Sequence, residues 1–112
     1  MPHVIIEHSR GIEDLPALCA AVFDALAVHP AIPKPETLKL RTFEAGAHLL
    51  GTQGQSFAHA TLRLLPGRDA DTKSDLAQVI LGVMADLLPH VHSLSVDLAD
   101  LDPAYAKRVL PD

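Results

Sequence analysis

The chain has 112 residues, 48% of them hydrophobic and 21% charged, which fits one ordinary folded domain rather than a disordered segment. Nine Lys+Arg against 14 Asp+Glu give a net charge of −5. An acidic chain without a basic cluster is a poor binder of nucleic acid or of an anionic membrane. No apolar run approaches the ~20 residues that span a bilayer. The start, Met1-Pro2-His3-Val4-Ile5-Ile6-Glu7, lacks the basic region and cleavage site of a secretory signal. With one cysteine, Cys19, an internal disulfide is impossible, and a cytoplasmic location is expected.

Val4-Ile5-Ile6 reads as a strand opened by Pro2, where a missing N–H is harmless. After a turn at Ser9-Arg10-Gly11, Leu15, Leu18, Cys19, Val22, Phe23 and Leu26 form one helical stripe, with Asp14 as N-cap. Cys19 is expected to be a buried, inert thiol. Pro30, Pro33 and Pro35 end this helix in a stiff connector. Thr37–Ala45 alternates, with Leu38 and Leu40 on one face and Lys39, Arg41 and Phe43 on the other. Gly46–Gln55 is a glycine-rich loop. Ser56–Leu65 alternates again, and Pro66-Gly67-Arg68-Asp69 is a turn. Leu76, Val79, Ile80, Val83, Met84 and Leu87 form a second helical stripe, which Pro89 ends. Leu94, Val96 and Leu98 mark a last strand. A short tail follows, where Asp102-Pro103 can start a helical turn.

The pattern is β-α-β repeated, in halves of about 2–45 and 56–100 within a single domain spanning 1–112. Right-handed crossovers put both helices on one face of a four-stranded sheet, an α+β fold of the split β-α-β kind. The opposite sheet face carries mixed polar and apolar side chains, so an oligomer is expected.

Most catalytic motifs are missing. There is no GxGxxG, P-loop, GxSxG or HExxH, and the seven histidines are scattered without a ligand-like grouping, so no metal is expected. Two features stand out. Removal of Met1, as aminopeptidases do before proline, would leave Pro2 as a secondary amine at the start of a strand. Burial and nearby cations would lower its pKa and make it a fixed general base. The bland reading is that Pro2 merely opens the strand. The second feature is a set of cations: Lys39 and Arg41 share a strand face, Arg68 precedes the second helix, and Arg10 holds the matching place in the first half. They are either solvated surface charges or a site for carboxylates.

Pro2-His3-Val4-Ile5-Ile6-Glu7-His8-Ser9 resembles the N-terminus of the 5-carboxymethyl-2-hydroxymuconate isomerase family, in the tautomerase superfamily. The likeness continues in Asp14-Leu15-Pro16-Ala17-Leu18, Phe57-Ala58-His59-Ala60-Thr61-Leu62-Arg63, Pro66-Gly67-Arg68, Leu94-Ser95-Val96-Asp97-Leu98 and Asp102-Pro103. It implies a homotrimer of tautomerase-like subunits, with sites near subunit interfaces and no cofactor. It also implies Pro2 as the catalytic proton shuttle and Arg68 as a carboxylate-binding arginine. Where the family's second strand carries an arginine, this chain has Lys39, with Arg41 two positions on; either is expected to take a carboxylate. The implied reaction converts 5-carboxymethyl-2-hydroxymuconate to its 2-oxo-3-ene form in the homoprotocatechuate branch of aromatic catabolism. The competing readings are a tautomerase acting on another 2-oxo or enol acid, and a trimeric binding protein that has lost the chemistry.

Overall fold

The computed structural model describes residues 1–112. Its elements are β1 (His3–His8), α1 (Leu15–Ala27), a 3₁₀ turn (Pro35–Thr37), β2 (Lys39–Glu44), β3 (Phe57–Leu64), α2 (Ala70–Leu87) and β4 (Ser93–Asp100). The sheet order is β2-β1-β3-β4. β1 runs parallel to β2, β3 parallel to β4, and the two pairs meet in the antiparallel β1–β3 ladder.

Alternation decides what each strand buries. Val4 and Ile6 of β1 and Ala58, Ala60, Leu62 and Leu64 of β3 point into a shared core. They meet Leu18, Val22 and Leu26 of α1 and Leu76, Ile80 and Met84 of α2, each set spaced four apart as one helical face requires. The helices pack on each other, α2 also over β4 and α1 over β2, so both cover the same sheet face. The other face, with Ile5, Phe43, Phe57, His59, Thr61 and Arg63, is covered by no element of this chain, and Phe43 is 55% exposed.

Asp14 and Asp69 cap α1 and α2, their carboxylates accepting from Ala17 and Thr72 backbone N–H groups. Asp14 does so from the left-handed region (φ 55°), which Asp tolerates better than most residues. Ser9 closes the far end of the central ladder: its hydroxyl accepts from the Phe57 N–H and donates to the Phe57 carbonyl. A Cβ at Gly54 would overlap the His92 ring at 2.3 Å, so a larger residue there would have to displace that exposed side chain.

Several expectations change in detail. The β2 strand starts at Lys39 rather than Thr37, because Pro35 and the residues after it wind a 3₁₀ turn first. Leu87, the last residue of α2, is 44% exposed, since the buried face runs through Leu76, Ile80, Met84 and Leu88 and leaves Leu87 beside it. Cys19 is half-buried rather than enclosed, lying at the margin of the α1 stripe; burial still pushes its thiol pKa up, which keeps it protonated and unreactive.

Candidate active site

Strand direction gathers the site. The start of β1 lies beside the start of β2, its parallel neighbour (His3 opposite Lys39), and beside the end of β3, its antiparallel neighbour (His3 opposite Arg63). Pro2, Lys39 and the Leu65–Asp69 turn therefore converge at one end of the sheet. The Lys39 N–H donates to the Pro2 carbonyl at 3.0 Å, one more rung of the β1–β2 ladder.

Pro2 is buried. With Arg68 and the apolar side chains of Ile32, Pro33, Leu64 and Leu65 it lines a hollow of about 140 Å³. The amine of Met1 donates to the Thr37 carbonyl at 3.2 Å, and Lys39 Nζ donates to the same oxygen at 2.9 Å. This corner disfavours a further positive charge: the Met1 amine pKa is lowered from 8.0 to about 5, first by burial, then by Lys39, Lys107 and Arg68.

Arg68 is half-buried and braced. Nη1 donates to the Leu65 carbonyl and Nη2 to the Ala31 carbonyl, both at 3.1 Å. Ala31 is itself held by His29, whose Nδ1 accepts the Ala31 N–H at 3.0 Å. The His29 proton then lies on Nε2 and is donated to Asp75 at 2.6 Å. A larger open groove of about 640 Å³ flanks Arg68 on its other side, but Asp69, Asp71 and Asp75 line it, a poor surround for an anionic ligand.

Of the four residues singled out in the sequence, Pro2 and Arg68 share a hollow, and Lys39 meets the amino terminus at Thr37. Arg41 lies one step further along the outer sheet face, exposed, with Nη1 donating to His3 Nδ1 at 3.1 Å. Arg10, in the matching place of the first half, lies at the opposite end of the sheet. Sequence reasoning missed His3. Its Nδ1 accepts from Arg41, so Nε2 carries the proton and donates to the Tyr105 hydroxyl at 2.9 Å. Burial, then Arg41 and Lys39, lowers its pKa. The alternation that put Lys39 and Arg41 on one face was the available signal, since His3 faces the same way. Nothing periodic pointed to Tyr105 or Lys107 in the tail.

The family model for 5-carboxymethyl-2-hydroxymuconate isomerase matches residues 2–108. No curated protein sequence matches the chain. Solved structures do: a 5-carboxymethyl-2-hydroxymuconate isomerase from Deinococcus radiodurans R1 is similar with a TM-score of 0.81 at 18% identity, covering 96% of this chain and 88% of that one. A 5-carboxymethyl-2-hydroxymuconate delta-isomerase gives a TM-score of 0.73 at 18% identity over 100% of this chain and 89% of its own. A fused 4-OT described as a wild-type symmetric trimer gives 0.74 at 18% identity over 88% and 85%. These likenesses show the tautomerase-like fold that the sequence resemblance implied. The family match over nearly the whole chain shows more: this protein belongs to the 5-carboxymethyl-2-hydroxymuconate isomerase family, and is an isomerase.

Proposed function

We propose that the protein is a cofactor-independent keto–enol tautomerase that converts 5-carboxymethyl-2-hydroxymuconate to its 2-oxo-3-ene form, with Pro2 as general base. The observation that carries this reading is the meeting of a buried Pro2 with Arg68 and Lys39 in a corner that lowers the pKa of an amine. While Met1 is attached, the Pro2 nitrogen is an amide without basicity. Once Met1 is removed it is a secondary amine, and the burial and cations that hold the Met1 amine near 5 act on it in turn. The neutral amine takes the proton from the enol oxygen. The electron pair moves through the conjugated diene, and the resulting ammonium returns the proton to the far diene carbon, so the amine is restored. Arg68 and Lys39 bind substrate carboxylates and favour the negative charge that develops next to them. Lys39 does so as a point charge, without the planar fork of an arginine.

The same reading places the reaction in aromatic catabolism in the cytoplasm and the protein in a homotrimer. The uncovered sheet face supports association, as do the symmetric-trimer assemblies among the similar structures. No helix is long and apolar enough to cross a membrane. The test is ketonisation of 5-carboxymethyl-2-hydroxymuconate followed by ultraviolet absorbance, with protein whose intact mass shows Met1 removed. Turnover well above the uncatalysed rate supports the assignment. No turnover with a free Pro2 amine overturns it.

A further inference from the structure

The C-terminal tail returns to the corner where the chain begins. Leu101 is buried and its N–H donates to the Leu64 carbonyl at 2.6 Å. Asp102 then turns the chain, its carboxylate accepting from Ala104 N–H at 2.8 Å and its carbonyl from Tyr105 N–H at 2.9 Å. Tyr105 next lies edge-on to His3, ring centroids 5.8 Å apart, and accepts the Nε2 proton. That contact fixes the tail one residue from Pro2. Beyond it, a hollow of about 430 Å³ opens between the tail and the start of β2, with Lys39 and Lys107 in its wall. This hollow and the Pro2 hollow both include Thr37, so they are neighbours across one residue.

Lys107 makes neither a hydrogen bond nor an ion pair. Glu36 and Asp112 also line the hollow, but the salt bridges of the chain lie elsewhere, at Arg10–Glu44, His29–Asp75 and Lys73–Asp100. Its charge nevertheless reaches the amino terminus, where it helps to lower the Met1 amine pKa. An ammonium without a partner, on a segment anchored at His3 and sharing its hollow with Lys39, is free to receive an anion beside the hollow that Pro2 lines.

We propose that Lys107 is a further substrate-binding residue of this site, taking the carboxylate of a polycarboxylate substrate that lies farthest from Pro2, with Tyr105 and His3 as the positioning pair that holds the tail in place. This rests on the proposed reading of the Pro2 hollow as the reaction site. It makes the tail a specificity element: Arg68 and Lys39 serve any short acid, whereas Lys107 favours substrates with an additional carboxylate.

Two measurements test this, one of them independent of turnover. In kinetics, Lys107→Ala raises KM for 5-carboxymethyl-2-hydroxymuconate about threefold to fivefold, the upper part of the range for one exposed charge pair, and leaves kcat and the KM for the monocarboxylate phenylenolpyruvate unchanged. Lys107→Arg restores the wild-type value, Tyr105→Phe shifts KM in the same direction as Lys107→Ala, and the difference vanishes near 1 M salt. In calorimetry, tricarballylate binds Lys107→Ala more weakly than wild type by the same factor, while pyruvate binds both alike. Wild-type protein that binds tricarballylate but turns over no enol overturns the proposed reaction and leaves the role of Lys107 standing. Equal affinity of the two proteins for tricarballylate, no tricarballylate binding to wild type, or an equal loss for mono- and tricarboxylates, overturns the role of Lys107.

Discussion

The two β-α-β halves place an arginine in matching turns, Arg10 after β1 and Arg68 after β3, each beside a glycine with positive φ, Gly11 and Gly67. Their surroundings diverge. Arg10 is exposed, 3.8 Å from the Glu44 carboxylate, and donates to the Gly46 carbonyl in a loop. Arg68 is half-buried, has no carboxylate partner and is braced by two backbone carbonyls. At the first-half end Arg10 is neutralised and solvated. At the second-half end Arg68 shares a hollow with Pro2, and its charge, with those of Lys39 and Lys107, acts on the amino terminus. A repeated fold thus puts an arginine in each strand-to-helix turn, and its place in the turn and the groups around it decide which one can hold an anion.

Replacing Pro2 should break this comparison most severely. Pro2→Ala should lower kcat/KM about a hundredfold or more, the scale of a lost general base, with an unchanged circular dichroism spectrum. An unaltered rate would remove Pro2 from the chemistry. Next, Arg68→Ala should cost about tenfold or more in kcat/KM, near the ~1.5–3 kcal/mol of a hydrogen bond to a charged group, whereas Arg10→Ala should leave the rate within twofold. Equal losses at both arginines would show that the two turns do not differ in function. The pH–rate profile sharpens the contrast: a base with a lowered pKa stays active as pH falls below 8.0, and kcat/KM declines only in the acid range. An acid limb at or above 8.0 would contradict the depressed amine.

A smaller effect concerns stability. The folded-state pKa of His3 lies below 6.5. As pH drops through 6.5 the unfolded chain binds the proton first, so stability declines, and it is fully recovered above that value. The urea midpoint should therefore drop further between pH 7.5 and 5 in wild type than in His3→Gln. Identical pH dependence in the two proteins would show that His3 does not titrate as its surroundings dictate. The smallest effect belongs to the first-half turn: Glu44→Ala should change stability by less than about 1 kcal/mol, as expected for an exposed ion pair.

The fold was legible because its signals are local. Leu18-Val22-Leu26 and Leu76-Ile80-Met84 declare helices by spacing, and Ala58-Ala60-Leu62-Leu64 declares a strand by alternation; each set is buried as the pattern demands. The ends were less legible, because Pro35 imposes a 3₁₀ turn on residues whose alternation already reads as strand. For the candidate site, Pro2, Lys39 and Arg68 were visible as unusual residues at element starts. Their meeting was not, since it depends on strand order. The resemblance to a known family pointed to Pro2 and Arg68 as site residues, without the order that brings them together. His3, Tyr105 and Lys107 stayed hidden because their association joins residues about a hundred positions apart, and no period links them.

The bracing of Arg68 has a consequence for how an anion is received. A free arginine side chain has about 2 kcal/mol of rotamer entropy, and much of it is surrendered when a ligand fixes it. Here the Leu65 and Ala31 carbonyls have already fixed the guanidinium during folding, using two of its five N–H donors. The remaining donors keep their direction whether or not a ligand is present. Lys107, on an exposed tail, still has that freedom to lose. Two cations of equal charge at one corner of the molecule therefore differ in the entropy they forfeit on capture, and the rigid one is the one set beside Pro2.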